Sequence, residues 1–173
     1  MAQTEGKPLP DPPKLSGEVR GDEDNAREMF ERLVSASPVP VEWANLGIDT
    51  RGLYIPAERR IFLSRRIEGA AWTLKLRVLL HELAHALAFL SGIDRMEYRT
   101  VGGDGYARGE AIAEGAAYIA AKLLGFDTSG MSCEYIAGYV RQVEKMLEWA
   151  EAAQAVARAL VEMAEDAAGK QAA

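Results

Sequence analysis

From residue 70 to residue 91 the chain runs without a proline or a glycine, and the run stops at Gly92. A leucine- and alanine-rich stretch of that length predicts a helix closed by a glycine C-cap. Both histidines of the 173-residue chain, His81 and His85, fall inside it, with Glu82 directly after the first. Four residues at ~100° each return to the same helix face one turn on, so both imidazoles can meet one ion while Glu82 is displaced around the helix. Leu79, Leu80, Leu83, Ala86 and Leu87 surround the pair, which predicts a buried helix. Buried histidines lacking a metal or acidic partners would be poorly satisfied.

Two histidines placed at random stand four apart about once in ninety arrangements, and a glutamate after the first takes this to roughly one in a thousand. His-Glu-x-x-His on a helix is the geometry of a zinc hydrolase: two imidazole ligands, and a carboxylate, Glu82, that reaches a metal-held water as general base. Catalytic zinc takes a third protein ligand and keeps one position open. Cys133 is the only cysteine and no third histidine exists, so that ligand must be a carboxylate. Glu110 and Glu114 are the candidates, one turn apart among Ala111, Ile112, Ala113, Ala116 and Ala117. Burying two glutamates there without a cation is costly. The bland alternative is a solvated acidic stripe.

Composition closes other routes. A net charge of −6 and a pI near 5.1 argue against a nucleic-acid binder that works through bulk charge. A lone cysteine excludes an intramolecular disulfide framework and any zinc site with two thiolates. No apolar run reaches the length of a membrane span, and the charged N-terminus has no apolar segment behind it. The expectation is a cytoplasmic protein that acts without nucleic acid or membrane.

Along the chain, residues 1–21 are rich in proline and glycine and predict a disordered tail. One domain is expected over 22–168, with 169–173 as a disordered end. A first helix starts at Asp22 on the spacing of Ala26, Met29, Phe30, Leu33 and Val34, and Pro38 and Pro40 end it. Residues 39–63 hold three short β-prone runs and predict a small sheet. A glycine-rich loop at 102–105 precedes a helix of about 106–124. Residues 132–167 read as one long helix, or as two with a break near 142–147. The fold class is α+β: a small N-terminal β-sheet packed on a mainly helical body.

The Glu110/Glu114 pair resembles that of the thermolysin-like gluzincins, and the resemblance implies Glu110 as the ligand of one Zn2+. Glu114 would then accept the free ring N–H of His81 and fix its tautomer; the reverse assignment stays open. More broadly, about residues 40–165 resemble the metallopeptidase domain of ArdC-type antirestriction proteins. The residues that carry this are Tyr54-Ile-Pro56, Arg60-Ile-Phe-Leu63, Leu79-Leu80-His-Glu-Leu-Ala-His85, Tyr106-Ala-Arg-Gly-Glu-Ala-Ile-Ala-Glu114 and Tyr135-Ile136. ImmA/IrrE-type peptidases are the nearest competitor. The resemblance implies a zincin-like fold with an active-site helix bearing the histidines. ArdC-type proteins also carry an N-terminal single-stranded-DNA-binding domain, and the ~40 residues before the match are too short and acidic for one. Tyr139 stands where that family's tryptophan is expected.

The function expected is zinc-dependent hydrolysis of peptide bonds in a protein or peptide substrate, with Glu82 moving the proton. The oxyanion needs a second electrophile; the resemblance favours Tyr135, and Tyr106 is second. Arg60, Ile61, Phe62 and Leu63, just before the motif helix, are expected to form the sheet edge along which a substrate strand adds. The alternative is a non-hydrolytic module in which zinc joins two helices and supports partner binding, as a regulatory part of a plasmid- or phage-type antirestriction system.

Overall fold

The structure, a computed structural model, describes residues 19–95, 104–132, 136 and 143–171. Its centre is helix α2 (Trp72–Leu90), whose buried positions lie on every face, from Thr73 and Lys75 through Leu79, Leu80 and Leu83 to Ala88. A helix buried on every side has no solvent face to offer and becomes the element that others cover. Its first turn lacks a capping side chain of its own at Ala71. Glu23 supplies the cap from another helix, accepting from the backbone N–H of Trp72 at 2.6 Å and of Thr73 at 3.2 Å. Gly92, with φ 74°, takes the left-handed position just beyond the other end.

Helix α1 (Glu23–Ala36) starts at Asp22, whose side chain accepts from Asn25 N–H at 2.8 Å. It lays Ala26, Phe30 and Leu33 against the core, and Phe30 meets Trp72 edge to face at 5.6 Å. Helix α3 (Asp104–Leu123) is rich in small residues and packs between α2 and helix α4 (Val143–Gln171). A Cβ added at Gly115 would come 3.2 Å from that of Ala153, so the α3–α4 seam is drawn close by the absence of side chain. Helix α4 runs unbroken from Val143 to Gln171, past the expected end of the domain at 168; residues 137–142, on which the choice between one helix and two turns, lie outside the described residues. Arg20, inside the segment expected to be a tail, exchanges backbone hydrogen bonds with Asp127 at 2.9 and 2.8 Å.

Three strands complete the α+β fold: β1 (Val41–Ala44), β2 (Gly52–Ile55) and β3 (Arg60–Ser64). Their spatial order is β1-β3-β2, with β1 parallel and β2 antiparallel to β3. The β2–β3 turn closes over 56–59, and Arg59 takes a left-handed φ of 48° to do so. Ile61 and Leu63 alternate into the core, both fully buried. Among the described residues no helix is long and apolar enough to cross a membrane.

The order of the strands corrects one expectation. Arg60–Leu63 is not the sheet edge: Val41 to Ala44 pair with it on one side and Gly52 to Ile55 on the other. Proximity in sequence to the motif helix suggested the edge, but the parallel pairing with β1, a long-range contact, takes that position. Arg60 is instead bound to Glu42 of β1. The edge strands are β1 and β2, and β2 is the one packed against α2.

Candidate metal centre

Helices α2 and α3 lie side by side in antiparallel sense, and both present polar residues at four-residue intervals along their contact. Arg77, His81 and His85 make one row; Glu110 and Glu114 make the other. Across the seam, Arg77 Nη2 donates to Glu114 Oε1 at 2.7 Å, and His81 Nδ1 lies 2.9 Å from Glu114 Oε2. His81 Nε2 stands 3.5 Å from Glu110 Oε2, and His85 Nε2 stands 3.5 Å from Glu110 Oε1. The two Nε2 atoms face one another at 3.2 Å. Every one of these contacts follows from helical spacing on two rigid elements, so the cluster is built without a loop.

These distances test whether a metal fits. Tetrahedral ligands at zinc bond lengths are separated by about 3.3 Å. The Nε2 pair at 3.2 Å and the two histidine–carboxylate distances at 3.5 Å match that spacing. His81, His85 and Glu110 are buried, and one donor atom from each falls within 4.8 Å of the others. The group could therefore bind a metal ion, and its one carboxylate and two imidazoles are ligands zinc accepts.

The electrostatics report the same convergence. Burial alone would lower the pKa of His81, but hydrogen bonds to Glu110 and Glu114 outweigh it and push the imidazole up to about 10. Glu110 and Glu114 are buried, which favours their neutral forms; the bonds to His81, and for Glu110 also to His85, reverse this. Glu114 comes down to about 2, and Glu110 falls well below the carboxylate range. Two anions thus draw a proton onto the site, at a place where a cation would serve the same purpose.

Glu82 sits beside this cluster at 6% exposure. Burial raises its pKa, against the pull of His81 and His85, and its carboxylate takes a hydrogen bond from the backbone N–H of Tyr54 on β2. Gly52, two residues earlier on that strand, packs directly on it. A Cβ there would come within 2.6 Å of Glu82 Oε1 and 2.8 Å of Val78 Cγ1. Between the helices and the strand runs a cleft of about 740 Å³, lined by His81, Glu82, His85, Glu110 and Tyr106 together with Ile48 to Tyr54.

The structure brings together His81, Glu82, His85, Glu110 and Glu114, and leaves Arg60–Leu63 in the middle of the sheet. Tyr135 lies outside the described residues, whereas Tyr106 lines the cleft one turn ahead of Glu110. Two participants escaped the sequence reading. Arg77 carried a signal, since it precedes His81 by one helical turn. Gly52 carried none, because its contact with Glu82 depends on how β2 docks. Comparison with known proteins finds no matching family model, no matching curated protein and no matching solved structure.

Proposed function

We propose that this chain is a zinc-dependent metallopeptidase with a zincin-like arrangement, cleaving a protein or peptide substrate in the cleft between α2 and β2. The observation that supports it most is the 3.2 and 3.5 Å spacing of three buried donor side chains with a fourth acid, Glu82, beside them. His81, His85 and Glu110 would hold one Zn2+, and Glu114 would fix the tautomer of His81. Zinc, when bound there, supplies the Lewis acidity that makes water a nucleophile near neutral pH.

The chain's own residues do the rest. Glu82, whose burial lifts its basicity, accepts the proton of the attacking water and returns it to the departing amine. The β2 edge aligns the substrate. In the antiparallel ladder, residues alternate between facing their partner strand and facing outward. Ser64 N–H bonds Arg51 C=O at 2.8 Å, so Gly52 and Tyr54 turn their backbone groups away from β3. With the Tyr54 N–H given to Glu82, an extended peptide can add along the remaining outward groups of Gly52 and Tyr54, with Ile48 and Leu53 exposed as apolar surface nearby. Tyr106 is the described candidate to stabilise the oxyanion. The resemblance to ArdC-type metallopeptidase domains, and a cytoplasmic place of action suited to a lone cysteine, belong to the same proposal.

Metal analysis together with Glu82→Gln tests it. The expected result is one zinc per chain in both proteins, with cleavage of a casein-type substrate lost in the variant. A wild-type chain that binds zinc, unfolds on chelation and cleaves nothing would favour the non-hydrolytic module. A wild-type chain that takes up no metal would end both readings.

A further inference from the structure

We propose that Arg77 is a positioning residue of the metal centre, acting on His81 through Glu114. The inference rests on the metal-centre reading above and adds a residue to it. Glu114 is 1% exposed, and its two oxygens have different partners: Oε1 takes Arg77 Nη2–H, and Oε2 faces His81 Nδ1. A carboxylate is planar, so fixing one oxygen fixes where the other points. Arg77 therefore decides the direction from which Glu114 meets the imidazole. With Nδ1–H engaged by Glu114, Nε2 is the ring nitrogen turned toward His85 and Glu110, where a metal would take the place of its proton. Without the guanidinium, the carboxylate can turn about its last bond toward the Ser132 hydroxyl, its other hydrogen-bond partner.

Two features separate this from an ordinary structural ion pair. Exposed pairs constrain little, but here the side chains are 11% and 1% exposed. The Nε of Arg77 is also buried without a hydrogen-bond partner among the described residues. A purely structural arginine would have its donors satisfied; among the described residues this one is held by its contact with Glu114, at the expense of another donor. The spacing agrees: Arg77, His81 and His85 are successive turns of α2, opposite Glu114 and Glu110.

The test uses the full 173-residue chain and measures zinc affinity by competition with a chromophoric chelator, together with the visible spectrum of the cobalt-loaded protein. Substituting a residue behind a metal ligand commonly weakens binding about 10- to 100-fold. Arg77→Met should weaken zinc binding about tenfold and shift the cobalt bands in the same sense as Glu114→Gln. Arg77→Lys should recover part of the loss. The Arg77→Met/Glu114→Gln double variant should bind no more weakly than Glu114→Gln alone, since both remove one chain of contacts. Should Arg77→Met fail to fold, Arg77→Gln is read by the same criteria. A variant that melts earlier but keeps wild-type affinity and cobalt bands would overturn the proposal while leaving the metal centre intact, as would losses that multiply in the double variant. A wild-type chain that binds no zinc would overturn both.

Discussion

The two walls of the cleft are built on different principles. The helical wall, α2 and α3, contributes charged side chains in a ladder: Arg77, Glu114, His81, Glu110 and His85. The strand wall, β2, contributes backbone groups and a missing side chain: the Tyr54 N–H that reaches Glu82, and Gly52 pressed against it. The first wall is suited to holding an ion, and the second to holding an extended chain over Glu82. Metal affinity should therefore answer to changes in the helices and turnover to changes in the strand.

The largest effect expected is on the helical side. Glu110→Ala should lower zinc affinity by more than the ~10- to 100-fold expected for Glu114→Ala, because only the first removes a donor from the triangle of His81, His85 and Glu110. Equilibrium titration against a chelator of known affinity measures both. The reverse order would exchange the roles of the two glutamates, and equal losses would mean that the ladder acts as a unit with no separate ligand.

The strand side gives a sharper contrast. Gly52→Ala puts a Cβ within 2.7 Å of Glu82 Cγ and 2.8 Å of Val78 Cγ1, so either β2 or Glu82 must move. Such overpacking costs about 1–3 kcal/mol of stability. A misplaced base lowers turnover by up to about 100-fold. The three metal donors are on the other wall, so zinc content should stay at the wild-type level. Loss of zinc in Gly52→Ala would show that the two walls are not separable.

What the sequence made legible divides along the same line. The α2 limits of 72–90 fall inside the 70–91 run because breakers and a C-cap glycine are local signals. The pairing of His81 and His85 was legible because helical spacing converts sequence distance into a face, and Glu110 and Glu114 stood out as carboxylates among alanines; the preference for Glu110 came only from a resemblance. The strand wall was not. Which strand lies at the edge depends on β1 pairing in parallel with β3, across about twenty residues of chain, and no local pattern encodes that. Arg77 was hidden for another reason. An arginine one turn before a motif reads as a solvated base until α3 is seen to bring Glu114 against it.

The smallest effect tests the helical wall without any substitution. In the metal-free chain, bonds to Glu110 and Glu114 hold the His81 pKa near 10 against the opposing effect of burial, compared with 6.5 when unfolded. A raised folded pKa gives stability that is full below about pH 6.5 and declines as pH rises toward 10. Glu82, raised by burial, acts in the same direction. Glu114 has the opposite sign: its stabilisation is present above about 4.5 and is lost as pH falls toward 2. Thermal unfolding of the chelator-treated protein should therefore peak between about pH 4.5 and 6.5 and fall by several degrees toward pH 9. With saturating zinc the trend on the alkaline side should reverse, since a metal at His81 Nε2 must displace the proton that the carboxylates hold there. A chelated chain more stable at about pH 9 than at pH 6 would mean that the proton is not shared along the ladder. The helical wall would then be a set of separate contacts, and its contrast with the strand wall would lose its electrostatic basis.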